Sequence, residues 1–375
     1  MATPPAQEQL TALQSTIHST LALLKHPQPA PPSPSSPAPP LAHIRNDLVQ
    51  LAQLVGKEVT NLSLALKPPA SLPAVGSTLD KLIDLLAKVK FAAEQLPAQG
   101  TLAKRINWTT LSLLESLSSF LLSVPAALSA PRSPPSAAKQ ARDALLVAAK
   151  GVWQAAEQAE QLPRDEAEAS RASWKDVLGL LDDCLEEVKD MGEEDEGEAG
   201  EGEEGAEGRT GENGEDDDDD DADDDLFPPA SFTPPQRARV PATYLLLRLT
   251  RLLLHRLFTR TSPTSSPAPP PCFATPDFLS SAETLVQRLA ALADDVAAAL
   301  EPPQHDLPGA VDELCEVADE LAAKVEAAAA AAAASAAEGE EEEKEAEEKW
   351  KEGERKWVAV WRKQRDDARR ALDAI

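Results

Sequence analysis

The sequence predicts an all-α protein, an antiparallel bundle of about five long helices followed by a second helical part, with a disordered acidic linker between them. Three observations carry this expectation. Leucine and alanine supply most of the apolar residues, while aromatic residues make up 4% of the chain and tyrosine occurs once, a composition that favours helices over sheets. Apolar residues recur at spacings of three and four, in segments mostly about 20 residues long and separated by proline-rich breaks. No convincing run of alternating β-branched residues interrupts them.

Leu10, Leu13, Ile17, Leu21 and Leu24 set the first helix, which stops at HPQPAPPSPSSPAPP over 26–40, an expected extended spacer. Ile44, Leu48, Leu51, Val55, Leu62 and Leu66 place a second helix over 41–66. Lys67, Pro68 and Pro69 end it, because proline disfavours helix in the residue before it and lacks a donor. A third helix is expected from Ser77, where Ser77 and Asp80 form a variant capping box, through Leu79, Leu82, Ile83, Leu86 and Val89 to about Leu96. Thr101 opens the fourth, lined by Leu102, Ile106, Leu113, Leu117, Leu121 and Val124 and broken by APRSPPS near residue 130. The fifth covers about 136–161, and the sixth follows Asp165 to about 190.

The break between the last two lies in VWQAAEQAEQLPRDEAEASRASW, residues 152–174. Asp165 can accept a bond from an amide one turn on, and Glu168 can reach back in the reciprocal arrangement, so Leu162, Pro163, Arg164 and Asp165 form a corner and not a kink. Trp153 and Trp174 lie at comparable distances on either side, so a tightly closed hairpin would put both indoles in one layer as core-edge packing.

The formal charge is −28, and residues 193–225 hold most of it, with 20 acids and one base, Arg209. That leaves the body only mildly acidic. Such a segment repels phosphate backbones and anionic lipid, which argues against direct nucleic-acid binding and membrane adsorption. The segment LFPPASFTPPQ, residues 226–236, reads as a further linker, so the expected organisation is a helix and spacer over 1–40, a bundle over 41–192, a linker over 193–238 and a helical region over 239–375. The helices of that last region are expected over 240–260, 277–300 and 308–374, the last being one rod or two broken near Gly339 or Gly353.

Cys184, Cys272 and Cys315 include no CxxC pair, suggesting neither a disulfide framework nor zinc and fitting a reducing compartment. No secretory pattern opens the chain. The most apolar helix expected, 244–258, is interrupted by Arg248, Arg251, His255 and Arg256 and falls short of the ~20 apolar residues of a membrane span. No nucleophile elbow, zinc helix or Walker loop occurs. Gly200, Gly202 and Gly205 do satisfy G-x-G-x-x-G, but glutamates fill the intervening positions and no strand precedes them. Asp216 to Asp225 lacks the glycine and spaced ligands of a calcium loop. No catalytic, cofactor-binding or metal residue is therefore assigned, and neither a cofactor nor a small-molecule substrate is expected.

Arg248, Arg251, Arg256 and Arg260 surround a leucine face, and they can meet acidic partner surfaces or be screened by the chain's own aspartate run. Trp350, Trp357, Trp361 and Ala368 share a helical face that docks on a bundle. Ser33, Ser36, Ser133, Ser262, Ser266, Thr233 and Thr275 each precede proline in expected linkers and are candidates for proline-directed kinases, and the PxxP of residues 34–37 reads as spacer.

VWQAAEQAEQLPRD, followed by a helix ending VLGLLDDCLEEVKD and an acid-rich segment, together with the earlier KEVTNLSLALKPP, resembles the cyclin-D-binding protein family, also called the Grap and cyclin-D-interacting protein family. The resemblance covers roughly residues 41–192. It implies a non-enzymatic, all-helical interaction protein of nucleus and cytoplasm that binds cyclin-like or helix-loop-helix-like regulators and restrains cell-cycle progression or transcription. The alanine- and glutamate-rich tail, the proline spacers and the aspartate run depart from that pattern. Arg251 to Leu254 also matches the loose R-x-L-φ pattern of cyclin-docking peptides, although these leucines are expected in the core. Arg248, Arg251, Leu253, Trp357 and Trp361 are accordingly the candidate partner-binding residues. The alternative function is an acidic scaffold or chaperone for basic nuclear proteins such as histones, with the aspartate run as its active element.

Overall fold

The computed structural model describes residues 4–26, 40–97, 100–129, 134–193, 232–262, 271–335 and 341–375. Among the described residues are ten α-helices and one short 3-10 helix, with no strand. They gather into two compact units, Met1–Ser170 and Arg171–Ile375. The proline spacer after the first helix and the aspartate run lie outside the described residues.

The first unit holds α1 (Pro4–Lys25), α2 (Leu41–Ala65), α3 (Leu72–Glu94), α4 (Thr101–Ser129), α5 (Pro135–Glu160) and the start of α6 (Glu166–Glu193). Its first five helices close a ring: α1 packs on α3, α3 on α2, α2 on α5, α5 on α4, and α4 back on α1. Each presents an apolar stripe inward, rich in leucine except in α5, where alanine predominates, and Leu13, Ile17, Val55, Leu79, Ile106, Phe120 and Val152 are fully buried. A methyl group placed on Gly56 of α2 would meet Ala156 of α5 at 3.5 Å, so the α2–α5 seam approaches closely over small residues.

Three expectations are corrected in this unit. α3 begins at Leu72, ahead of the anticipated Ser77, because a proline in the first turn supplies a ready helical φ. Asp80 therefore lies inside α3, where its carboxylate accepts a bond from Gln9 Nε2 at 2.5 Å. The strongest membrane-like segment is α4, the one helix among the described residues long and apolar enough to cross a bilayer. Its Leu102, Ile106, Leu113, Leu117, Phe120, Leu121 and Val124 nevertheless line the bundle core. Third, α6 divides after Ser170, so the residues beyond belong to the second unit.

That unit contains residues 171–193 of α6, with α7 (Pro234–Thr261), the 3-10 turn Pro271–Ala274, α8 (Pro276–Leu300), α9 (Leu307–Ser335) and α10 (Glu341–Asp373). α8 packs on α9, α9 on α10, α10 on α7, and α7 on α8. α7 starts inside the stretch anticipated as linker: Thr233 is its N-cap, Gln236 completes a capping box, and prolines occupy the first turn. Thr275 likewise caps α8, its hydroxyl accepting from Phe278 N at 3.4 Å. Two of the anticipated linker Thr-Pro sites are thus helix caps, and Ser262 directly follows α7. Ser33, Ser36, Ser133 and Ser266 lie outside the described residues. Of the alternatives anticipated over 308–374, the structure has two helices, α9 ending at Ser335 and α10 beginning at Glu341, and Gly353 lies within α10.

Candidate functional site

On the outer surface of the first unit, α2 and α3 leave an open groove of about 750 Å3. Ile44, Asp47, Leu51 and Leu54 line it from α2, at spacings that hold one helical face; Asp84, Lys88, Phe91 and Ala92 do so from α3. Its apolar side chains are not all sequestered: Phe91 is 65% exposed and Leu54 45%. Asp47 and Asp84 put carboxylates on opposite walls, against the single ammonium of Lys88. An apolar floor with polar edges is the form that receives an amphipathic helix anchored every three or four residues. None of these groove residues stands among the candidates drawn from the sequence. Periodicity places Leu54 and Phe91 off the main stripes, and that displacement was the one signal available.

At the 162–165 corner Asp165 caps α6 as anticipated, while the bond that reaches back from Glu168 falls one residue before the N-cap amide. Glu168 N donates to Asp165 Oδ1 at 2.8 Å, and Glu168 Oε2 accepts from Arg164 N at 2.8 Å. Leu162 and Pro163 are buried, and Arg45 of α2 donates to both of their carbonyls, holding the corner against the bundle. Glu166 reaches to the amides of Thr101 and Leu102 and caps α4, which the sequence did not reveal. The carboxylate is received beside Gly100, whose φ of 108° is readily adopted only by glycine. The two tryptophans serve separate cores. Trp153 is half-buried in the first unit with its Nε1 donating to Thr60 Oγ1 at 3.1 Å; Trp174 is fully buried in the second.

In the second unit the candidate residues are mostly committed internally. Leu253 and Trp361 are 1% and 3% exposed, and Trp361 Nε1 donates to the Leu249 carbonyl at 2.8 Å. Arg251 is paired with Asp182, which raises its pKa through their hydrogen bond. Trp357 lies under the Arg256 guanidinium at 4.7 Å, and Arg248 is exposed. The fully buried Glu354 receives Arg256 through both carboxylate oxygens, at 3.1 and 2.7 Å, and Arg260 at 2.7 Å. The basic face of α7 is therefore neutralised in large part by Asp182 and Glu354. Trp350 packs edge-on against Phe273, and Ala368 is buried, so the aromatic face of α10 docks as expected.

Burial raises the thiol of Cys184 and pushes that of Cys315 up to about 11, leaving both poorly disposed to act as nucleophiles near neutrality. Among the described residues no group of three or more His, Cys, Asp or Glu side chains is placed to hold a metal ion.

Residues 47–194 match the family model described as Grap2 and cyclin-D-interacting, N-terminal. The match runs from α2 through α6 and leaves α1 outside it. No curated protein matches this chain.

Proposed function

We propose, on the premise that residues 47–194 are a Grap2 and cyclin-D-interacting N-terminal domain, that the chain is a non-enzymatic regulator that acts by holding other proteins. Its α2–α3 groove takes an amphipathic helix of the partner, a D-type cyclin or a helix-loop-helix regulator, and the outcome is restraint of cell-cycle progression or transcription in nucleus and cytoplasm. The observation that carries this is the groove itself, where Leu54 and Phe91 stand exposed beside an apolar floor. Apolar anchors supply affinity; Asp47 and Asp84 favour a partner helix with basic edges.

Titration of a D-type cyclin onto the immobilised full chain tests it. Phe91→Asp with Leu54→Asp removes two exposed anchors and should weaken binding at least about tenfold, the usual scale for a buried aromatic anchor, with helicity unchanged. Undiminished binding by the double variant would overturn the groove. Deleting 193–225 separates the alternative of an acidic scaffold, for which the 20 acids of that stretch argue. Groove binding survives the deletion, whereas capture of histones by a polyanion is lost.

A further inference from the structure

We infer that α1 is a displaceable strap, and that the trough between α3 and α4 beneath it is a second docking surface, for an amphipathic helix with α1's own spacing. This stands apart from the groove between α2 and α3, which α1 does not line. The sequence holds α1 at a distance from the recognised domain: the match begins at residue 47, and the proline-rich residues 27–39 separate α1 from α2. Yet α1 closes the ring, packed on α3 and α4. What lies between those two helices is thus an apolar surface whose cover arrives on a tether.

The seat is imperfect in three places. The buried side of α1 is Ala6, Leu10, Leu13, Ile17, Thr20 and Leu24, a strict alternation of four and three after which a knob is expected at every position. Thr20 breaks it, 1% exposed where an aliphatic belongs, its hydroxyl turned back onto the Thr16 carbonyl of its own helix at 2.8 Å. At one end Gln9 donates to Asp80 and to the Gly76 carbonyl at 3.5 Å, but its Oε1 is shielded from solvent with no hydrogen-bond partner. At the other Asn107 donates to the Leu24 carbonyl at 3.1 Å, and its Oδ1 is likewise shielded and unpartnered. Two of the five such orphaned side-chain atoms among the described residues fall on the seams of this one helix. A buried acceptor left unpaired favours release to water, so each shifts the balance toward opening. The ion pair across the seam, Lys25 to Glu115 at 2.9 Å, is more than half exposed on both sides and adds little.

Covalent attachment to α2 keeps the strap shut by local concentration, on the order of millimolar. A partner helix enters only by outcompeting α1, so one that places leucine where α1 has Thr20 is the favoured class.

The test uses the full chain and a fluorescein-labelled peptide of residues 4–25 as the competing helix. The unaltered chain should bind it weakly. Ile17→Asp in the chain, which unseats the strap, should tighten peptide binding about 100-fold, and Thr20→Val should weaken it below the unaltered chain. A peptide carrying Thr20→Leu should bind the Ile17→Asp chain better than the native peptide does. Amide exchange on the unaltered chain should release α1 as one unit ahead of α4. The inference fails if α1 amides are protected as well as those of α4, or if Ile17→Asp keeps its helicity and leaves peptide affinity unchanged. Should that variant unfold, the exchange order and the Thr20→Val titration still decide. Neither outcome bears on cyclin capture at Phe91, so the two proposals fail separately.

Discussion

Removing the Glu354 side chain tests whether the second unit is held by a buried carboxylate under two arginines. Glu354→Ala leaves Arg256 and Arg260 facing each other with their shared acid gone, at side-chain exposures of 25% and 22%. Breaking a buried pair by deleting one partner costs about 3–5 kcal/mol, because the remaining charge is stranded. The residual exposure of both guanidinium groups lets water reclaim part of that, which puts the expected loss at about 2–4 kcal/mol. For a unit of this size about 3 kcal/mol corresponds to a fall in Tm of about 6–12 °C. Four of the six tryptophans, Trp174, Trp350, Trp357 and Trp361, lie in this unit, so urea unfolding followed by indole fluorescence reports mainly on it. The pairing also predicts non-additivity. With Arg256 and Arg260 already changed to Ala, deleting Glu354 should cost about 2 kcal/mol less than it does alone. A loss below about 1 kcal/mol for Glu354→Ala, or strict additivity in the triple variant, would refute the claim that these groups act as one buried unit.

Arg45→Ala strips the donors from the Leu162 and Pro163 carbonyls and should lower the stability of the first unit by about 1–2 kcal/mol, read by chemical denaturation of the full chain. Glu166→Ala uncaps α4 and should cost about 1 kcal/mol, with faster amide exchange confined to the first turn after Gly100. Cys315 should alkylate slowly at pH 8, its rate rising as the medium approaches pH 11. Its folded value lies above the ordinary 9.0, so the contribution of the half-buried thiol to stability is complete below pH 9 and declines from there through about 11; Cys315→Ala should remove that part of the slope in pH-dependent unfolding.

The fold was legible because each helix buries an apolar stripe, and a stripe needs only local spacing to be seen. Leu10, Leu13, Ile17 and Leu24 announce α1, and Trp350, Trp357 and Trp361 announce the docking face of α10, without knowledge of what they meet. Partnership is another matter, since it depends on which helices become neighbours. Leu253 and Trp361 looked available for a partner and are buried, because α10 returns to lie on α7 and no spacing within either helix encodes that return.

The seam between α9 and α10 shows where the boundary falls. Asp312, Asp319 and Glu326 recur at intervals of seven on α9, and Arg362 and Arg369 share that interval on α10, with Arg365 between them. In the structure Arg369 meets Asp312 at 2.7 Å, Arg365 meets Asp319, and Arg362 meets Glu326 at 2.9 Å, an antiparallel ladder. Each sequence column was visible alone, yet a charge run is as readily a solvated face, and only antiparallel pairing of these helices turns it into a register device. The groove at Leu54 and Phe91 follows the same logic with the sign reversed. A side chain left off its stripe by the local pattern stays exposed only because no other helix of its unit comes to cover it, and that vacancy is a property of the ring of helices, settled after every stripe has been satisfied.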